Sequence, residues 1–424
     1  MKKFLIAVLV FTTLFCYGAG DKKMYKEPWK TSRHFTKITH SSGMISYLLT
    51  TKLAHNQQCF YFTDNELTND GRFLVVQLSD KEPEREDERN KMRRTVAVID
   101  FKTDEFFATD IKTTRGANGA HLDPERGIIY CFNAEGMHAI DLAKGERKSK
   151  LIVPMPEEIK ALGKDVKRYS THLTHSPCGT KFFLDITADD RFYQGVLDIK
   201  THKFTKWGET PFFCNHGQFN PVDPSIALCA WEVDYVDKNG VLHHIKDHKE
   251  EYYPRLWLMY EDGRRRMVPP VTNYATHEAW TSDGKGFIYC STKNNQGLIY
   301  HDLATGLQRQ IMAPVWLPKE NRAASASHAD ITADNNYVVC DIAAGVSVGY
   351  PWRIAFGNTG NGKTFLLFDD GVSYNPPGKT SVMHPHPHPH FIYHDKVIIS
   401  TFMQRAREMD IILTPVDQLI EKVK

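Results

Sequence analysis

The chain has 424 residues, 41% hydrophobic and 25% charged, an ordinary globular balance that excludes a disordered or fibrous protein. Its 53 Lys and Arg against 51 Asp and Glu leave no basic excess of the kind that binds nucleic acid. Eight cysteines are too few for a disulfide scaffold of this length.

The first 20 residues read as a secretory signal peptide. Lys2 and Lys3 precede an apolar run from Phe4 to Phe15, and Gly18, Ala19 and Gly20 supply a small-residue cleavage region. The run is too short to span a membrane. Phe15 stands where a lipidation site needs a small residue, which argues against a lipoprotein anchored through Cys16. Export to the periplasm or beyond is therefore expected, with residues 21–424 as one domain and no membrane span. Loss of the two lysines takes the net charge from +2 to about zero. Seven cysteines remain, so at least one is unpaired within the chain.

Beyond the leader an internal repeat sets the architecture. Strand-turn-strand units start at Asp64, His121, His172, His216, His277, His328 and His388, roughly 40–60 residues apart, the period of propeller blades. Asp70-Gly71, Cys178-Gly179, Asp283-Gly284 and Asp334-Asn335 supply the positive-φ positions that tight hairpins need. Further strands are predicted at 95–100, 137–141, 195–198, 255–260, 297–302 and 409–414. The expected fold is an all-β, seven-bladed propeller of four-stranded blades. Residues near 34–50 are predicted to close the ring beside 409–414, hiding a sheet edge. The polar stretches 79–94 and 233–251 read as surface loops, and the tail from Val416 as a short helix.

A histidine opens six of the seven units. In a propeller the first strand of each blade lines the axis, so these imidazoles converge on one channel. Each alone could simply close a blade-to-blade hydrogen bond; together they suit a metal or proton transfer. The densest run is Met383-His384-Pro385-His386-Pro387-His388-Pro389-His390. Alternating proline keeps it extended, so His386 and His388 point the same way and can share an ion. Cys131, Cys229, Cys290 and Cys340 recur at the end of a second strand, which fits a small buried position; Cys290 could also be a soft ligand beside His277. The G-x-S-x-G match at 345–349 lacks the helix that a nucleophile elbow needs, because Pro351 follows.

Taken together, Thr276-His277-Glu278-Ala279-Trp280, His216-Gly217-Gln218-Phe219, Arg255-Leu256-Trp257-Leu258 and His386-Pro387-His388-Pro389 resemble the oligogalacturonate lyase family over about residues 55–403. The chain also resembles secreted propeller ulvan lyases, whose metal is held by histidines and a cysteine. The resemblance implies metal-associated β-elimination beside a uronic acid in an acidic polysaccharide or oligosaccharide. It implies one divalent ion, zinc or manganese ahead of calcium, on His277, His386 and His388, with His216 as a further active-site histidine. The ulvan-type pattern adds Cys290. A glutamine ligand of the family falls at Met383 here. The family's arginine base falls at Arg191; the ulvan-type acid/base pair falls at His121 and His138, assisted by Tyr193. His172 is a further acid/base candidate. The ulvan-type arginine before the blade-four histidine is replaced by Pro211-Phe212-Phe213-Cys214. A monomer is expected. The rival readings are a non-catalytic propeller binding glycan or protein, disfavoured by the channel histidines, and a hydrolase, for which no paired carboxylates stand out.

Overall fold

A computed structural model describes residues 24–82, 94–113, 119–236, 241–244, 255–269, 275–291, 296–342, 352–368, 372–374 and 385–424. The predicted signal peptide with Cys16, Met383 and the 345–349 motif lie outside them. Seven antiparallel sheets ring a common axis, a seven-bladed propeller. The innermost strands are Asn56–Gln58, His121–Asp123, Thr174–His175, Phe212–Phe219, Ala275–Trp280, Ala326–Ile331 and His390–Ile392, in blades 1 to 7.

The turns that end these strands repeat one chemistry. Gly71, Gly179, Gly284 and Asn335 adopt positive φ, and their N–H groups donate to Thr68, Ser176, Thr281 and Thr332 carbonyls at 2.7–2.9 Å. The hydroxyls of Thr68, Thr281 and Thr332 donate to Asp70, Asp283 and Asp334 at 2.6–2.7 Å. A local Thr–Asp clamp thus fixes the hairpin before any long-range contact forms.

Blade 7 has five strands. Val397–Phe402 and Asp410–Pro415 continue outward into Ile45–Leu49 and Phe35–Thr39, with Tyr47 opposite Leu413 and Leu48 opposite Ile412. The predicted closure is present: Ile45–Leu49 pairs with the last strand, and Phe35–Thr39 adds outside it. The C-terminal helix Asp417–Val423 lays Leu419 and Val423 against Phe356, Ile398 and Ile412, all fully buried. Burying each such side chain contributes about 1.5–3 kcal/mol.

Two expectations need correction. The polar stretch from 233 is not all loop: the blade-4 strand Ile226–Val236 runs into it, and Leu242–His244 pairs back on 234–236. Backbone pairing there overrides the polar composition. Between blades 5 and 6 an unanticipated hairpin joins Val315–Leu317 to Arg322–Ala324. Buried Glu320 on its tip ties it to Arg353 of blade 6 at 3.1 Å.

Candidate metal centre

Each inner strand carries residues for two levels of the channel. His172, His216, His277, His328 and His388 each stand two residues before Thr174, Gln218, Ala279, Asp330 and His390, which line a cavity of about 350 Å³ at the mouth where the hairpin turns lie. Two residues of extended chain span at most about 7 Å, so the histidine level lies within that distance of the cavity level along the axis. Tyr61 and Phe62 separate the two levels. The Tyr61 ring stacks on His172 at 4.2 Å and on His216 at 5.6 Å. Phe62 lies 5.4 Å from His328 and lines the cavity on its other side.

Bulges aim the histidine level. The inner strands of blades 4, 5 and 6 each carry one extra residue, at 216–217, 277–278 and 327–328, relative to the partner strand. His216, His277 and His388 have φ of 52°, 55° and 46°, a left-handed backbone that costs a non-glycine residue energy and persists at functional sites. Bulges re-aim side chains in this way. Gly217 lets the blade-4 bulge seat: a Cβ there would meet the Phe183 ring at 2.5 Å.

Donor atoms of His328, His386 and His388 all lie within 4.8 Å of one another. The His277 ring is 4.1 Å from that of His328, and the Trp352 ring 4.5 Å from that of His386. Asp341 braces the group. It accepts from His328 Nδ1 at 2.9 Å and from the backbone N–H of His328 and His388 at 2.8 and 3.3 Å. With Nδ1 facing Asp341, the Nε2 lone pair of His328 would be the one offered to an ion, which would in turn favour the carboxylate form of Asp341, the outer-shell arrangement typical of metal-bound imidazole. The donor set therefore fits a divalent transition metal. Imidazole suits zinc, and manganese is compatible with a mixed nitrogen and oxygen shell. Burial pushes Asp341 up to about 8, against the pull of the two backbone donors. Burial holds His172 down to about 3 and His216 to about 4, so both rings are neutral at neutral pH.

Of the residues singled out from sequence, His386 and His388 are brought together and His277 adjoins them through His328. His216 lies to one side, stacked on His172 at 5.0 Å and 3.8 Å from Glu232. His172 joins this level, and its Nε2 has no hydrogen-bond partner among the described residues. Cys290 is buried in the seam between blades 5 and 6, where its thiol donates to the Ser327 carbonyl at 2.6 Å and burial pushes its pKa well up. His138, Arg191 and Tyr193 lie on third strands, two strands out from the axis. His138 is 3.3 Å from Glu135, exposed Arg191 pairs with Glu209 at 3.1 Å, and the Tyr193 hydroxyl donates to the Leu162 carbonyl. His121 belongs to the other level and lines the cavity.

Sequence reasoning did not assign His328 as a ligand, although it opens blade 6. It also passed over Tyr61, Asp341 and Arg168. Arg168 lies over the Phe213 ring at 4.6 Å, and its charge helps to lower the pKa of His172 and His216. It precedes His172 by four residues, the signal that could have exposed it.

No family model matches the chain, and no curated protein matches it. Solved structures do. An oligogalacturonate lyase in complex with manganese is 18% identical, covering 90% of this chain and 96% of its own, with a TM-score of 0.65. The oligogalacturonate lyase of Vibrio parahaemolyticus gives the same identity, coverage and TM-score. The propeller domain of the Trilobed protease from Pyrococcus furiosus is 12% identical, covering 84% of this chain and 95% of its own, with a TM-score of 0.50. At these identities the likeness establishes the propeller fold that this chain shares with them.

Proposed function

We propose that this protein is an exported, metal-assisted lyase that cleaves a uronate-containing oligosaccharide or polysaccharide by β-elimination. One observation carries the reading: the His328–His386–His388 group, braced by Asp341, at one end of a propeller channel. His328, His386 and His388 would hold the ion, which would supply a Lewis acid for the uronate carboxylate and so make the neighbouring C5–H more acidic. Arg168 supplies a second positive charge for that carboxylate, beside His172. The Nε2 of His172 takes the C5 proton. The C5–H electron pair becomes the C4=C5 double bond as the C4–O4 bond breaks, and O4 departs and is protonated by water. His172 carries its role because it lies at the histidine level, and Arg168 because its charge acts on His172 and His216, whereas His138, Arg191 and Tyr193 lie two strands out from the axis.

The test is incubation with oligogalacturonates, polygalacturonate and ulvan, following the ultraviolet absorbance of the unsaturated uronate end. A rise that chelation abolishes and zinc or manganese restores is the expected result. New reducing ends without that absorbance would mean hydrolysis and would overturn the proposal.

A further inference from the structure

The cavity at the turn end of the channel contains a second pair of facing imidazoles. His121 Nε2 and His175 Nδ1 are 2.5 Å apart. Behind them stand two carboxylates: Asp64 Oδ1 is 3.2 Å from His121 Nδ1, and Asp123 Oδ2 is 4.0 Å from His175 Nε2. Asp64, Asp123 and His121 are buried, and the side chain of His175 is mostly covered. The order is carboxylate, imidazole, imidazole, carboxylate, drawn from blades 1, 2, 3 and 2.

Asp64 faces Nδ1 of His121 at hydrogen-bonding distance, which leaves the Nε2 lone pair of His121 pointing at His175, whereas Asp123 accepts from Arg126 Nη1 at 2.6 Å and is too far from His175 to fix its tautomer. Rings this close need a positive centre between or beside them, a shared proton or a metal ion. The surroundings favour one. Asp64, Asp330 and Asp395 line the cavity, with no lysine or arginine among the lining residues. A nitrogen–metal bond of about 2.0–2.1 Å asks the rings to part by only a fraction of an ångström to about one, and carboxylate-backed imidazoles are the pattern of metal-bound histidine. The open cavity beside the pair has room for water to complete the shell.

We propose that the turn-end cavity is a second divalent transition-metal site, with His121 and His175 as its protein ligands and Asp64 orienting His121. It is separate from the His328–His386–His388 group, behind the Tyr61–Phe62 plug, and does not rest on the lyase reading. The experiment strips the full-length protein with chelator and titrates it with Zn²⁺ by calorimetry, with elemental analysis after desalting. Two equivalents are expected, the second weaker. His121→Ala and His175→Gln should each remove one equivalent and keep the other, whereas His328→Ala should remove the other. Loading with Cu²⁺ in His328→Ala should give an electron paramagnetic resonance spectrum with coupling to two imidazole nitrogens. His175, at the cavity wall, is the variant to rely on if His121→Ala folds poorly. A single equivalent in the wild type that survives in His121→Ala and His175→Gln, as a shared proton between the rings would give, overturns the proposal. So does a second equivalent that survives in both variants.

Discussion

The two ends of the channel are made by the same inner strands, two residues apart, and they are built differently. At the histidine end the side chains are re-aimed by bulges and left-handed backbone, and the ligand group draws on blades 6 and 7. At the turn end the strands are regular, and the polar groups are held by the hairpins that follow them. Asp123, for example, accepts from the backbone N–H of Glu125 and Arg126 at 3.0 Å while facing His175. Left-handed backbone at the histidines themselves marks the end proposed for chemistry; at the other end it is confined to the turns, as at Asn335 and Tyr393 to Asp395, which local hydrogen bonds secure. A site built with strained backbone relies on the rest of the ring to hold it.

The largest way to break this contrast is to empty the histidine end. His328→Ala should lose the cluster ion and lower lyase activity about a thousandfold, since Lewis-acid stabilisation is worth several kcal/mol. Parallel kinetics and elemental analysis check it; full activity would remove the cluster from the mechanism. Next in size is the plug. Phe62→Ala opens a void between the levels and should cost about 3 kcal/mol of stability in urea melts, as for other large-to-small core changes. An unchanged midpoint would mean that the two levels do not share packing. Smaller again is Asp341→Asn, which keeps the shape but weakens the brace. It should reduce affinity for the cluster ion about 10- to 100-fold, read by competition with a chelating dye.

The smallest effect separates the ends by pH, measured on metal-stripped protein. His172 folds with a pKa of about 3, below the 6.5 of a free imidazole, so the native state refuses a proton that the unfolded chain accepts. Its contribution is full above pH 6.5 and falls as the pH drops towards 3. At the turn end, buried Glu66 raises His390 to about 9. That contribution is full below pH 6.5 and is lost as the pH rises through 9. His172→Gln should therefore flatten the acid side of the stability curve, and His390→Gln the alkaline side. Swapped limbs would show that the proton preferences of the two levels are misassigned.

Much of the fold was legible because each blade writes its own hairpin locally: apolar strand, Thr–Asp turn, apolar strand. Ring closure by residues 34–50 was legible for a related reason, since a strand pattern without a partner nearby needs one elsewhere. The site was only half legible. His386 and His388 stood out because proline fixes their phase, whereas a bulge inserts one residue and shifts phase invisibly, so sequence spacing could not say which blade openers converge. His121 shows the error plainly. Its turn runs from Asp123 to Gly127, where Gly127 N–H donates to the Asp123 carbonyl, one residue longer than the Thr68–Gly71 turn. Counting back from the glycine puts His121 within one residue of the register of His277, close enough to be taken for it. Counting from the turn's first residue puts it level with His390 instead. The importance of Asp341 and Arg168 was hidden because neither opens a repeat.

The five-stranded seventh blade sets an order of events. Ile45 bonds to Gln418 across 373 residues of chain, and blade 7 is where His386 and His388 enter the channel. The strands made first wait for the strand made last, a contact of very high sequence separation that forms slowly. An ion that needs His386 and His388 beside His328 can be held only once that seam is shut. Metal occupancy at the histidine end is thus a report on ring integrity: a nascent or clipped chain lacking its final strand would fold blades but fail to load, and the loaded fraction would count complete molecules.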